Sequence, residues 1–318
     1  MKIKMLLLVM APVLMALTNS CTSTTLWQLE SPDQSIRVTI RQVEEKSGTR
    51  LYYSILINGD EGYEQIMDQS PLGVVGEKSR FVENLEYVSE EKQQNISDSY
   101  VLTTGKKLQI SSSYNESSIS FRNKEQKEIA LVFRAYNHGL AFRYRFIGDT
   151  EEELKIVQEE TGFDFKEGNF WGHPYDPLTT YTPAYETYYQ GLEVGNTAPW
   201  NKNGWAFPIL VESEGVWMMV SEAGFDGNYG ASHLHADCDE GLYRIKFAEP
   251  GEAEGYYENS SVSMLPFHTP WRFIALGETP AQILETTLPT DLSAPSKIKD
   301  SSWIKPGRAA WSWWSDNG

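Results

Sequence analysis

The sequence predicts a mainly β protein, built as an all-β sandwich or barrel. Short runs of alternating apolar and polar residues recur from residue 26 to about residue 273. Turn signals separate these runs at a spacing of roughly 8–12 residues, which is typical of sandwiches and barrels. Long helical periodicity is almost absent. The three observations agree on stacked or closed β-sheets as the fold class.

The predicted strands follow one another with clear turns between them. The run 35–40 alternates apolar with polar residues, as does the run 51–57. Glycine-containing sequences at 58–60, 137–139 and 212–215 favour tight reversals of the chain. The remaining predicted strands are 108–112, 118–122, 129–133, 139–146, 207–211, 216–222, 242–247 and 271–276.

A short helix and a linker are predicted after the strands. Pro280 suits the start of a helix over 279–288, because the first turn leaves its backbone N–H groups without helical partners. This segment presents one apolar face, formed by Ile283, Leu284 and Leu288. Proline and serine are enriched beyond it, so the sequence predicts a linker over 289–305.

Two segments are predicted to be irregular. Residues 88–99 are charged and polar, and residues 168–203 are rich in aromatic residues, proline, glycine and asparagine. A long loop in a compact domain is usually either functional or disordered. The aromatic content of the second segment favours an ordered and functional loop.

The last residues, 303–318, read as a break followed by a strand. Pro306-Gly307 interrupts the chain, and 308–314 is bulky and rich in tryptophan. Such a strand needs cover on both faces, as in a parallel sheet or barrel. We therefore expect 306–318 to be the first strand of an incomplete barrel, and the chain to be the front part of a larger protein.

Residues 1–20 have the pattern of an export signal. Lys2 and Lys4 precede an apolar run over 5–17, which is too short to span a bilayer. Cys21 follows small residues, as at a bacterial lipoprotein processing site, where it would become the lipidated first residue; ordinary cleavage nearby is the alternative. The expected location is the periplasm, with outer-membrane attachment if Cys21 carries lipid.

Charge and cysteine content narrow the function classes. The chain has 27 Lys and Arg against 44 Asp and Glu, a formal net charge of −17. Loss of a leader with two lysines and no acid makes this −19. Such acidity disfavours nucleic acid and fits a neutral carbohydrate or a cation. If Cys21 is acylated, Cys238 is left alone and no intrachain disulfide can form.

Several short motifs, in order and at matching spacing, resemble those of glycoside hydrolase family 97. They are Ser-Pro-Asp at 31–33, Ser-Pro-Leu-Gly at 70–73, the run 133–144, Tyr-Glu-Thr-Tyr-Tyr at 185–189, Ser-Glu-Ala at 221–223, Thr-Pro-Trp-Arg-Phe at 269–273 and the run 307–314. The resemblance covers nearly the whole mature chain.

The resemblance implies a β-super-sandwich over 21–288, a short helical linker over 289–305, and the first strand of a (β/α)₈ catalytic barrel over 306–318. Members of this family are exo-acting α-glycosidases, either inverting α-glucosidases or retaining α-galactosidases, with calcium in the active site. Both mechanisms require two carboxyl groups flanking the glycosidic bond. In the family these lie mainly on later barrel strands, so we expect residues 21–318 alone to be inactive.

Four residues are candidates for the site. By the resemblance, Glu186 would reach the barrel mouth and bind calcium, which favours carboxylate oxygens; otherwise it is a solvated glutamate. Glu222, at the end of an apolar strand, could hydrogen-bond a sugar hydroxyl or cap a turn. Trp313 could stack on a sugar ring and Asp316 could accept hydroxyl hydrogen bonds, since barrel active sites lie at strand carboxyl ends. Core packing is the alternative for the tryptophan.

Two further groups are predicted not to bind metal. The stretch 226–230 contains Asp226 and Asn228 but lacks the remaining oxygens of a calcium loop, so it predicts a turn. His233 and His235, with Cys238 nearby, could hold zinc on a strand face. A polar loop with a packed cysteine is the favoured interpretation.

Three functions remain open at the level of sequence. The first is the amino-terminal part of an exported α-glycosidase acting on oligosaccharides or α-glycosides. The second is a non-catalytic carbohydrate-binding or structural β-sandwich module. The third is a truncated, degenerate product. Donor sugar, stereochemical outcome and oligomeric state are expected to depend on later barrel residues, so residues 1–318 leave them open.

Overall fold

The computed structural model describes residues 23–149, 151–177, 187–198, 200–249, 251–252, 260–305 and 307–310. The elements in the first half are β1 Ser23–Glu30, β2 Ile36–Glu45, β3 Gly48–Gly59, β4 Gly62–Pro71, β5 Val74–Gly76, β6 Arg80–Phe81, β7 Glu86–Val101, β8 Gln109–Arg122, β9 Glu128–Tyr136, β10 Gly139–Ile147 and β11 Glu153–Glu159. Those in the second half are β12 Gly162–Asp164, β13 Asn169–Pro174, β14 Gln190–Glu193, β15 Trp205–Ser213, β16 Val216–Ala223, β17 His233–Asp239, β18 Leu242–Lys246, β19 Ser261–Met264, β20 Phe267–His268, β21 Trp271–Gly277, α1 Pro280–Leu284 and α2 Leu288–Asp291.

These strands form three antiparallel sheets, so the predicted mainly β sandwich class is confirmed. The first sheet is the meander β1-β2-β3-β4. The large sheet has 13 strands and runs β12-β18-β17-β15-β16-β21-β10-β9-β8-β7, with β13, β14 and β20 paired beside this path. The third sheet has the order β19-β11-β5-β6.

The main core lies between the first sheet and one face of the large sheet. Trp27 and Tyr53 from the first sheet meet Phe133 and Phe142 from the large sheet, with ring centroids 5.4 Å apart for Trp27–Phe133 and 4.9 Å for Tyr53–Phe142. All four side chains are buried. Burying each large apolar side chain contributes roughly 1.5–3 kcal/mol, so a core of this size supports the described fold without a disulfide.

The opposite face of the large sheet is covered by the two helices. Ile283, Leu288 and Leu292 pack over Tyr136 and Phe273, and all are buried. The predicted helix over 279–288 is therefore observed as two short helices, α1 and α2, with a bend between them. Thr279 caps α1 by accepting a hydrogen bond from Gln282 N, as expected for a threonine N-cap.

A long hairpin, β7–β8, extends beyond the sheet and holds the helices. Tyr100 Oη lies 2.6 Å from Asp291 Oδ1 and 2.8 Å from Thr290 Oγ1. Lys106 Nζ donates to Leu284 O at 2.7 Å. The start of the predicted linker is thus fixed to the sandwich on both of its sides, by the sheet below and by the hairpin tip.

The prediction that residues 88–99 are irregular is wrong, because strand β7 spans them. This strand pairs with β8 alone and its side chains are almost all exposed. An edge strand with no buried face has no alternation of apolar and polar residues, and so gives no strand signal in the sequence. Within the predicted irregular segment 168–203 the structure contains β13 and β14.

Three expectations fall wholly or largely outside the described residues. The leader with Cys21 and the segment 178–186 are not described, and of the predicted barrel strand only residues 307–310 are. These four residues are exposed and have no regular secondary structure. Among the described residues, no helix has the length and apolar character needed to span a membrane.

Replacing Gly204 with Ala should destabilise the fold by about 2–4 kcal/mol. Gly204 has φ +105°, and an added Cβ would lie 1.9 Å from Leu234 O, a backbone atom that cannot move aside. Gly230 is a matched control, since a Cβ there meets no atom within 4 Å. Urea unfolding of both variants checks this; equal midpoints for G204A and G230A would contradict it.

Candidate functional site

Several strand termini meet at one end of the large sheet. Pro174, at the end of β13, pairs with Trp205 at the start of β15, and Trp205 pairs with Leu234 near the start of β17. Ala223, the last residue of β16, pairs with Trp271, the first of β21. Strand β13, which precedes residues 178–186, ends here, and strand β14, which follows them, begins beside β13. We take this sheet end as the candidate site.

A buried ion cluster lies beneath this sheet end. Arg272 in β21 is fully buried. Its Nη2 and Nε donate to the two oxygens of Glu159, at 2.6 and 3.2 Å, a bidentate pairing suited to the guanidinium. Its Nη1 lies 2.7 Å from Glu222 Oε1, within ion-pair distance but outside hydrogen-bond geometry. Tyr229 Oη donates to Glu159 Oε2 at 3.0 Å.

Glu222, the predicted sugar ligand, is held within this cluster. Its Oε2 accepts from Ser232 N at 3.0 Å and its Oε1 accepts from Ser232 Oγ at 2.5 Å. The side chain is 5 % exposed. The carboxylate therefore joins the end of β16 to the chain that leads into β17. Contact between Glu222 and a sugar remains a prediction.

The cluster contains two carboxylates and one guanidinium, so burial acts strongly on its charges. Burial raises the pKa of Glu222, against the opposing attraction of Arg272. For Arg272, burial opposes the charged form, but Glu159 and Glu222 together raise its pKa above the usual value. Burial and Glu159 raise the pKa of the Tyr229 hydroxyl well above 10.0. Tyr229 is therefore the donor in its hydrogen bond to Glu159.

Aromatic rings lie at the sheet end and along β13. Trp171 in β13 stacks on Trp217, which lies towards the opposite end of β16, with centroids 5.4 Å apart at 16°. Tyr175 stacks on the imidazole of His233 at 3.7 Å and 4°, and its hydroxyl donates to Glu252. Tyr188 is 88 % exposed. Flat rings that remain accessible can stack on the apolar face of a sugar, which is the chemistry expected of an aromatic loop in a carbohydrate-binding protein.

His173 closes the base of the segment that contains Glu186. Its Nδ1 lies 3.0 Å from Pro174 O and its Nε2 lies 3.0 Å from Thr187 O. The ring also meets the edge of Tyr189 at a centroid distance of 5.4 Å. The two ends of the segment are therefore joined through one imidazole, although Glu186 itself lies outside the described residues.

Glu222 is the only predicted site residue that the structure describes. Glu186, Trp313 and Asp316 lie outside the described residues, as does the predicted lipidation site Cys21. The roles predicted for these residues remain predictions.

The histidines considered for zinc do not form a described metal site. His233 is buried, its Nε2 has no hydrogen-bond partner, and burial lowers its pKa to about 3. Cys238 is also buried and its Sγ contacts Asn196 O at 3.7 Å. Within the described ranges, no group of three His, Cys, Asp or Glu side chains could hold a metal ion.

Sequence reasoning missed Arg272 and Glu159. A signal was available for the arginine, since Arg272 interrupts the apolar strand 271–276, where every other residue is apolar. A charged residue inside a continuous apolar run implies a buried counter-charge. Nothing in the sequence identified Glu159 as that partner, because it lies 113 residues away.

The described strands form a β-sandwich with a buried carboxylate–guanidinium cluster and aromatic rings at one sheet end. The family model described as the glycosyl-hydrolase 97 N-terminal domain matches residues 29–295. The chain belongs to glycosyl-hydrolase family 97, as its motifs predicted.

Relatives agree with this assignment. The chain is 26% identical over 312 residues to a protein named retaining alpha-galactosidase from Bacteroides thetaiotaomicron, covering 91% of this chain and 44% of that protein. It is 25% identical over 263 residues to a probable retaining alpha-galactosidase from Streptomyces bingchenggensis, covering 82% of this chain and 38% of that protein. The chain thus spans less than half the length of these curated relatives.

Solved structures have the same fold. A beta-arabinopyranosidase superposes with a TM-score of 0.79 at 26% identity, over 90% of this chain and 45% of that one. A family 97 enzyme from Pseudoalteromonas sp. strain K8, in complex with acarbose, superposes with a TM-score of 0.70 at 22% identity, over 88% of this chain and 40% of that one. The latter comparison bears on the fold alone.

Replacing Glu222 with Gln should flatten the pH dependence of stability. Because burial raises the pKa of Glu222 above 4.5, the folded state keeps a proton that the unfolded chain has already released. The protonated Glu222 therefore contributes to the free energy of unfolding at a pH below its pKa in the unfolded chain. This contribution is lost as the pH rises through the higher pKa of the folded state, and it amounts to about 1.4 kcal/mol for each unit by which the two pKa values differ. A glutamine cannot titrate, so E222Q should lose less unfolding free energy than wild type between pH 4.5 and neutrality.

Urea unfolding at a series of pH values measures this difference. Glu61 lies exposed in the turn between β3 and β4, so E61Q provides the same chemical change outside the cluster. E61Q should follow the wild-type profile. Parallel profiles for wild type and E222Q would show that Glu222 does not titrate differently on folding.

Proposed function

We propose that this chain is the amino-terminal domain of an exported, exo-acting α-glycosidase of the α-galactosidase type. The observation that carries the proposal is the similarity to two relatives named as retaining α-galactosidases, within the family match over residues 29–295. The similarity to a beta-arabinopyranosidase supports the same sugar class. Arabinopyranose in its L form has the ring configuration of galactose without the hydroxymethyl group. An α-glucosidase remains the second candidate within the family.

In this proposal the domain contributes one wall of the active-site pocket. Glycosidases of both stereochemical types need an acid and a second carboxyl group on opposite sides of the glycosidic bond. The chain covers 44% and 38% of its relatives, so the catalytic pair is proposed to lie in the part of those proteins that it does not match. Trp313 and Asp316 would contact the sugar from the first barrel strand.

Glu186 is proposed to supply one calcium ligand to this pocket. Calcium takes six to eight oxygen ligands, and the described residues contain no group of three His, Cys, Asp or Glu side chains able to hold a metal. The remaining ligands are proposed to come from the region that this chain does not share with its longer relatives. The contact between His173 and Thr187 O would help to orient the Glu186 carboxylate, because it joins the two ends of the segment that contains Glu186.

The proposed location is the periplasm, reached through the leader and, by lipidation of Cys21, the outer membrane. The excess of 44 acidic over 27 basic residues favours a neutral oligosaccharide over an anionic polymer. The alternative function is a non-catalytic carbohydrate-binding module. Exposed rings at Tyr188 and Trp200, 88 % and 57 % accessible, favour that alternative.

The protein of 318 residues should not hydrolyse nitrophenyl α-galactoside or α-glucoside, because the proposed acid and base lie elsewhere. The assay compares purified protein with buffer, with and without calcium. A relative from this family, assayed beside it, serves as the positive control. A rate clearly above buffer would place a catalytic pair inside these residues and overturn this division of roles.

Replacing Glu186 with Gln should weaken the calcium dependence of activity in protein expressed from the complete reading frame. The amide keeps the shape of the side chain but removes one charged oxygen donor, so half-maximal activation should need about tenfold or more calcium. E193Q, on β14 beyond the same loop, is the matched control. Identical calcium titration curves for E186Q, E193Q and wild type would exclude Glu186 as a ligand.

A further inference from the structure

We propose that a cleft beside the loop 225–228 is a second saccharide-binding site, separate from the pocket that Glu186 is proposed to join. The cleft has a volume of about 500 Å³, within the range of small-molecule sites. Its polar lining consists of Glu153, Asp226, Asn228, Ser263 and His268, and its apolar lining of Val262, Met264, Pro266 and Phe267.

The loop that forms one wall is firmly anchored. Asn228 N donates to Asp226 Oδ1 at 2.9 Å, so this carboxylate is oriented by its own turn. The next residue, Tyr229, is buried and donates to Glu159 in the ion cluster. Gly230 N donates to Ser261 Oγ at 3.1 Å, which joins the loop to the start of β19. The backbone of the loop and the Asp226 carboxylate are therefore held in place.

The exposed groups match what a neutral sugar residue requires. Asp226 has a second carboxylate oxygen to accept from neighbouring hydroxyls, and the Asn228 amide can both donate and accept. Met264, in the apolar part of the lining, is 48 % exposed. A sugar ring has an apolar face of C–H groups and a rim of hydroxyls, so an exposed apolar side chain beside a carboxylate and an amide suits both.

His268 lines the cleft with a neutral ring. Its Nδ1 is buried and has no hydrogen-bond partner. Burial, followed by Arg143 and Arg145, lowers its pKa, so the ring is neutral at neutral pH and offers one donor and one acceptor. The neutral imidazole therefore adds no positive charge to the lining of the cleft.

Charge selects against the other ligand classes. The carboxylates of Glu153 and Asp226 line the cleft, so anionic sugars are disfavoured. A neutral saccharide residue with adjacent hydroxyls suits this mixture of polar and apolar side chains.

The test is a ligand-observed NMR titration of the full chain with methyl α-galactoside and, separately, with galacturonate. Methyl α-galactoside should bind saturably with a dissociation constant on the order of 1 mM, and galacturonate should bind more weakly. Asp226→Asn keeps the oxygen that accepts from Asn228 N but loses the carboxylate charge, so affinity should fall by roughly tenfold or more. No saturable binding by wild type would overturn the proposal.

Two controls separate this cleft from the proposed calcium pocket. Asp60→Asn makes the same change in an exposed turn of the first sheet and should leave binding unchanged. Glu186→Gln, and removal of calcium by a chelator, should also leave it unchanged. An equal loss of affinity in D226N and D60N would overturn the proposal that the cleft binds the saccharide. Binding that survives D226N but disappears with E186Q or chelation would place the sugar in the proposed calcium pocket and would also overturn the proposal.

Discussion

The buried pairing of Arg272 with Glu159 and Glu222 is the constraint on which the rest of the sheet end depends. Arg272 and Glu222 belong to the large sheet, through β21 and β16, and Glu159 ends β11 of the third sheet. The cluster is therefore the point at which two sheets are joined by charge. Apolar packing elsewhere in the core is extensive. A bidentate ion pair, however, fixes the relative position of two side chains more tightly than apolar contacts do.

This cluster is better understood as a geometric constraint than as a large source of stability. A buried ion pair gains little over well-packed apolar residues of the same volume, whereas the loss of one partner typically costs about 3–5 kcal/mol. Here two carboxylates share one guanidinium, so removal of Arg272 would leave both without their counter-charge. Tyr229 and Ser232 are held in place by their hydrogen bonds to Glu159 and Glu222, respectively.

The sequence predicted the elements whose burial leaves a pattern. In strands β3 and β10 the large apolar residues alternate with smaller or more polar ones, so both strands were recognised. Strand β7 was missed because it lies at a sheet edge with neither face buried. A pattern of burial is what sequence periodicity records, and a strand stabilised mainly by backbone pairing leaves almost none.

The candidate site was predictable only in part, for a related reason. Glu222 was recognised from its place at the end of an apolar strand, but its partner Arg272 and the distant Glu159 were not. Pairing across 113 residues depends on how the sheets stack, which no local pattern contains. The family motifs supplied the remaining candidates, and these derive from resemblance and not from the physical chemistry of the residues themselves.

The same cluster relates the two regions at which a sugar is proposed to bind. Ser232, held by Glu222, leads directly into His233, whose ring stacks on Tyr175 beside the loop base. Tyr229, held by Glu159, follows the loop that walls the cleft. Arg272 thus helps to position both surfaces, because it binds both Glu159, which holds Tyr229, and Glu222, which holds Ser232. A change in the cluster would therefore reach both surfaces together, whereas a change in either exposed loop would stay local.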